Sequence, residues 1–101
     1  MRKTKIIGTL GPASSDYKNF KNLVLAGLNV ARINLSHGDV ATHQQTIDVV
    51  KQVRSELNMP VAIMIDTRGP EVRVKKFDGG STTVKTGKYF MLYNHDVVGN
   101  E

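Results

Sequence analysis

An α/β fold built on a parallel sheet is predicted by three observations. Between Lys5 and Thr67, three apolar runs of strand length alternate with two segments of helical period, in the order β-α-β-α-β. Such alternation calls for parallel strands joined by right-handed crossovers. The third run, Val61-Ala62-Ile63-Met64-Ile65, is apolar throughout, the pattern of a parallel strand covered on both faces. Beyond Pro70 only β-type segments follow, which predicts a small all-β insertion beginning there. The alternation by itself fits a doubly wound sheet and a (β/α) barrel equally well.

Taken in order, Lys5 to Leu10 reads as a short buried strand stopped by the Gly11-Pro12 turn signal. Ser14, Ser15 and Asp16 offer helix caps. Tyr17, Phe20, Leu23 and Val24 then repeat at helical spacing, and Gly27 stands where a helix usually stops. Val30 to Leu35 has β character. Val40, Ile47, Val50, Val53 and Leu57 mark a longer helix ended by Asn58-Met59-Pro60. The third strand runs to Ile65. Val72 to Phe77, Thr82 to Val84 and Tyr89 to Tyr93 are the β-type segments of the insertion, the first two divided by the Gly79-Gly80 turn. The expected domains are therefore 1–69, the first part of the α/β body, and 70–101, the start of the inserted β part.

Composition narrows the function classes. With 40% hydrophobic and 23% charged residues the chain falls among ordinary soluble globular domains. At 101 residues it has room for one modest core. No run approaches the roughly 18 consecutive apolar residues of a membrane span, so no membrane association is expected. Without cysteine there is no disulfide framework and no thiolate metal site, and a cytoplasmic home fits best. The net charge of +5 favours an anionic partner. Nucleic acid is not expected, because no basic helix or aromatic stacking platform accompanies the charge.

Polar groups gather where the strands end. Arg32, Asn34 and Ser36 share one face of the second strand by its period of two, and a guanidinium in a buried strand needs an anion. Asp66 and Thr67 terminate the third strand at the carboxyl edge, where parallel sheets place ligands. An internal Arg32–Asp66 ion pair is the plainer reading of the same residues. Asn34, Ser36, Asp66 and Thr67 supply only oxygen, which suits a hard cation, monovalent or partly hydrated divalent. Arg73 has the planar fork to cover a phosphate at that rim; the alternative is a charged strand residue facing water. His37 is left open between cap, ligand and bystander, while His43 and His95 read as solvent-facing. The turn Thr9 to Ser14 matches neither the P-loop nor the dinucleotide pattern.

Three stretches together resemble the pyruvate kinase family: Lys5-Ile6-Ile7-Gly8-Thr9-Leu10-Gly11-Pro12-Ala13-Ser14, Asn29-Val30-Ala31-Arg32-Ile33-Asn34-Leu35-Ser36-His37-Gly38, and Asp66-Thr67-Arg68-Gly69-Pro70-Glu71-Val72-Arg73. Val84 to Leu92 also resembles the opening of that family's lid domain. Gly8 and Arg68 depart from a commonly seen cysteine and lysine. The resemblance implies a partial TIM (β/α)8 barrel with the beginning of an inserted small β-barrel domain. It implies phosphoryl transfer from phosphoenolpyruvate to ADP, giving pyruvate and ATP, with Mg2+ or Mn2+ and K+ as cofactors. The parent is then expected to be a glycolytic homotetramer.

Carried over residue by residue, the resemblance gives Arg32 and Arg73 catalytic roles, Arg32 on the transferring phosphate. Asn34, Leu35, Ser36, His37 and Arg73 fall on the nucleotide, with Thr9 and Pro12 nearby. Asn34, Ser36, Asp66 and Thr67 fall on potassium, Thr67 through its main-chain oxygen. Glu71 falls on the position that separates potassium-dependent members from those carrying lysine. The family's catalytic lysine and divalent-metal carboxylates are matched by no residue here, so the 101 residues alone are expected to be inactive, and the open edge of their apolar strands is expected to make them prone to self-association. The competing expectation is a non-catalytic phosphate-binding α/β module using the same rim.

Overall fold

Local chemistry starts and stops the helices. In the computed structural model, which describes residues 2–99, a first unit ends at Gly69 and a second begins at Pro70. The first contains β1 (Ile7–Thr9), α1 (Tyr17–Ala26), β2 (Val30–Asn34), α2 (Val40–Leu57) and β3 (Ala62–Asp66). Asp16 caps α1 by accepting from the Asn19 backbone N–H at 3.0 Å, and Asp39 caps α2 by accepting from that of Thr42 at 2.8 Å. Both bonds satisfy amides that a helix start leaves without partners. At the other ends Gly27 and Asn58 adopt left-handed backbone, φ 115° and 48°, and return their amides to the last turn. Gly27 is favoured there by its positive φ, and the Arg2 guanidinium, which donates to the Gly27 carbonyl, lies over the place a side chain would take.

The two caps carry an acid signature. The amide of Asn19 holds the Asp16 carboxyl below the usual carboxylate range, and the amide of Thr42 does the same for Asp39. Folded values lowered in this way contribute stability that is present above the unfolded value, about 4, and lost as pH falls through the folded values. The helical circular-dichroism signal is therefore expected to hold at neutral pH and to fall off in acid below about pH 4. The variant D16N/D39N keeps a capping oxygen without a titrating group and should show a shallower acid limb. Identical acid limbs would remove the caps from the account.

The sheet is parallel throughout and its order is β1-β2-β3. Register places Thr9 beside Arg32, Arg32 beside Met64, and Asn34 beside Asp66. Phe20 and Val24 of α1, Val50 and Val53 of α2, Leu28, Ala31 of β2 and Val61 form one core cluster, with Ile63 packed against it. Both helices thus cover the sheet face that carries Ala31 and Ile63. The alternate positions, Ile7, Thr9, Arg32, Met64 and Asp66, point to the other face. That face is open, with Ile7 53% and Met64 39% exposed.

Several expectations are corrected. β3 is not covered on both faces: Ala62 and Met64 lie on the open face, and Ile65 is exposed because β3 is an edge strand. Val40 belongs to the helical pattern yet is 85% exposed, whereas Thr46 is buried and bonds the Thr42 carbonyl at 3.1 Å. The β-type segments after Pro70 are not strands among the described residues. That unit has an isolated parallel bridge, Phe77 to Gly99, and a single 3-10 turn, Asp78–Gly80. Strand-forming side chains make a strand only when a partner completes the ladder, and sheets need several strands to persist. Tyr89, Phe90, Met91, Leu92 and Tyr93 are accordingly all exposed.

Candidate functional site

The polar groups of the first unit meet at the carboxyl ends of its strands. Arg32 reaches across the open face: Nη1 donates to Thr9 Oγ1 at 2.8 Å on one side, and Nη2 pairs with Asp66 Oδ2 on the other. The two charged side chains keep 30% and 44% of their surface exposed. A pair so wet adds at most about 1 kcal/mol, so the fold does not depend on it. The plainer reading of Arg32, an ion pair with Asp66, is therefore present, but in a form whose guanidinium stays accessible to an incoming anion.

The segment after β2 is tied down by short-range bonds. Asn34 Oδ1 accepts from the Ser36 amide at 2.9 Å, and the Leu35 amide donates to the Asp66 carbonyl at 3.0 Å, joining the ends of β2 and β3. Gly38 follows at φ 77°, and a β-carbon there would come within 3.3 Å of the His43 ring. His43 is half-buried rather than fully solvent-facing: its Nε2 is covered and has no hydrogen-bond partner among the described residues. His37 is exposed at the turn, and His95 is exposed with its ring edge-on to Tyr93 at 5.3 Å. After β1, the Gly11 amide donates to Ser14 Oγ at 3.0 Å, and the Ser14 and Ser15 amides return to the Gly11 carbonyl, leaving Pro12 exposed.

Thr67 follows β3 directly and is exposed. Of the four residues expected to offer oxygen to a cation, Asn34 and Asp66 are register neighbours at the ends of β2 and β3, and Asn34 Oδ1 is engaged by the Ser36 amide. Among the described residues no three His, Cys, Asp or Glu side chains converge on a metal position.

In the second unit, Glu71 and Arg73 pair with each other. Arg73 Nε donates to Glu71 Oε1 at 3.0 Å and Nη2 to Oε2 at 2.9 Å, a fork-on-carboxylate contact. The Glu71 carboxylate raises the guanidinium's pKa, holding the charge on Arg73. The sequence pattern offered no signal for the Thr9–Arg32 bond, because it depends on strand register.

The family described as "Pyruvate kinase, barrel domain" matches residues 1–100. "Pyruvate kinase 2" of Synechocystis sp. is 44% identical over 98 residues, which is 95% of this chain and 17% of that protein. "Pyruvate kinase" of Thermococcus litoralis is 43% identical over 99 residues, 98% of this chain and 21% of that protein. Among solved structures, the "Crystal structure of Cryptosporidium parvum pyruvate kinase" aligns with a TM-score of 0.74 at 38% identity, covering 79% of this chain and 17% of that one. The chain thus spans about a fifth of the length of these curated relatives.

Proposed function

Since the chain belongs to the pyruvate kinase family, we propose that it forms the start of a TIM barrel and of an inserted lid domain, and supplies part of the site for phosphoryl transfer from phosphoenolpyruvate to ADP. The observation that carries this reading is Arg32, held accessible at the carboxyl rim of a parallel sheet between Thr9 and Asp66. A cytoplasmic, glycolytic role and a homotetrameric parent belong to the same reading.

In this account Arg32 grips the transferring phosphate, and Arg73, whose fork lies on the Glu71 carboxylate, is a second arginine for the phosphates. Asn34, Leu35, Ser36 and His37 line the nucleotide. Asn34, Ser36, Asp66 and the Thr67 carbonyl hold potassium. Asp66 meets Arg32 through Oδ2, which leaves Oδ1 for the cation. When bound, that ion supplies positive charge beside the phosphates. Catalysis of this kind rests on positioning and charge neutralisation. The ligands of the divalent metal, Mg2+ or Mn2+, and the catalytic lysine have no counterpart in this segment, so the 101 residues alone bind phosphate without turning over.

The test is a coupled pyruvate assay, with magnesium and graded potassium, on a full-length enzyme carrying this segment. Turnover is expected to require potassium. Glu71→Lys, which places a positive charge in the chain itself, should abolish most of that requirement. Full activity with a bulky organic cation in place of potassium would overturn the potassium assignment. Absence of pyruvate formation in the full-length enzyme, with phosphate still bound, would favour the non-catalytic anion-binding module.

A further inference from the structure

We infer that Thr9 is a positioning residue for Arg32: its hydroxyl fixes one side of the guanidinium so that the remaining donors face an incoming phosphate. The inference rests on the phosphate role proposed for Arg32 and extends it to a residue on a different strand.

Three features carry it. Thr9 and Arg32 are direct neighbours in the β1–β2 register, so their side chains leave the same face of the sheet. The bond from Arg32 Nη1 to Thr9 Oγ1 is 2.8 Å, a good length for a charge-assisted contact. The backbone beneath is locked, because the Leu10 amide donates to the Arg32 carbonyl at 2.9 Å and fixes the end of β1 against β2.

Arginine has a long, flexible stem, and a planar fork is useful to a phosphate only in one orientation. Asp66 alone cannot supply that orientation, since one contact at Nη2 leaves the plane free to rotate about it. A second contact at Nη1, on the opposite strand, removes that freedom. Thr9 serves this role as a neutral acceptor. A second carboxylate in its place would hold the fork more tightly but would also repel the phosphate. A β-branched side chain has few rotamers, so the hydroxyl is presented at little entropic cost.

The experiment is a double-mutant cycle in a full-length enzyme carrying this segment, reading kcat and KM for phosphoenolpyruvate. Thr9→Val keeps the branched shape and removes the acceptor. It is expected to lower kcat/KM about tenfold, the loss of one hydrogen bond to a charged group. Thr9→Ser keeps the hydroxyl and should restore most of the rate. In an Arg32→Ala background Thr9→Val should have almost no further effect, because no guanidinium remains to be held. An equal cost in both backgrounds would show that Thr9 acts on the fold and overturn the inference, as would Thr9→Val at the parental rate. If Arg32→Ala alone is silent, the phosphate reading itself fails, an outcome distinct from the first two. Helical circular dichroism of each variant, expected unchanged because Thr9 is exposed, shows that the comparison is between folded proteins.

Discussion

Replacing Arg32 with alanine in a full-length enzyme carrying this segment is expected to lower kcat/KM for phosphoenolpyruvate by about 10²–10³, or about 3–4 kcal/mol, the cost of removing one preorganised donor from a developing charge. The guanidinium lies between Thr9 and Asp66 before any substrate arrives, so its orientation is set in advance. Removing it also leaves the Asp66 carboxylate unneutralised at the rim, which adds repulsion toward an incoming phosphate. Folding should be spared, since the ion pair is wet and contributes little to stability. Arg32→Lys keeps the charge without the two-pronged geometry and should fall between the parent and alanine. Steady-state kinetics with a coupled pyruvate assay decides the matter. Near-parental turnover in Arg32→Ala would remove Arg32 from the phosphate site.

The second large effect concerns the core. Phe20 has no exposed surface and lies in the cluster where α1, α2 and β2 meet. Phe20→Ala removes most of a ring from a packed interior and should cost about 3–5 kcal/mol. A single core in a unit this small rarely supplies more than about 3–5 kcal/mol in all. The two figures nearly cancel, so the 101-residue chain carrying Phe20→Ala is expected to lose cooperative unfolding. Urea titration followed at the helical circular-dichroism band reads this directly. Val40→Ala, at a position 85% exposed, serves as the comparison and should shift stability by no more than about 0.5 kcal/mol. A Phe20→Ala chain with an unchanged midpoint would mean that the cluster is not what holds the unit together.

Much of the first unit was legible in the sequence because its signals are local. An aspartate accepting from an amide three residues ahead, and a glycine or asparagine able to turn left-handed, mark a helix wherever they fall; Asp16, Gly27, Asp39 and Asn58 do so here. Period-two spacing likewise put Arg32 and Asn34 on one strand face, and the end of an apolar run put Asp66 at the rim. The motifs around Thr9, Arg32 and Asp66 were sufficient to suggest the family, because motif order is written in the chain itself.

What stayed hidden depends on partners remote in sequence. Strand register decided that Thr9 faces Arg32, 23 residues away, a contact that no pattern in the sequence announced. Sheet order placed β2 between β1 and β3, which the β-α-β-α-β pattern by itself leaves open. The approach of the His43 ring to Gly38 decided that its Nε2 is covered, although its neighbours on α2 are polar. The strand-forming residues from Val72 to Tyr93 were read correctly as β-type by propensity and yet form no strand among the described residues, because a strand is a property of a pair. By itself the sequence determined where helices begin and end, which side chains can carry charge, and the order of the motifs. The tertiary structure alone decided that Thr9 shares the Arg32 guanidinium with Asp66 and that Arg73 lies on Glu71, since such partners follow from hydrogen-bond ladders and packing that no local pattern records.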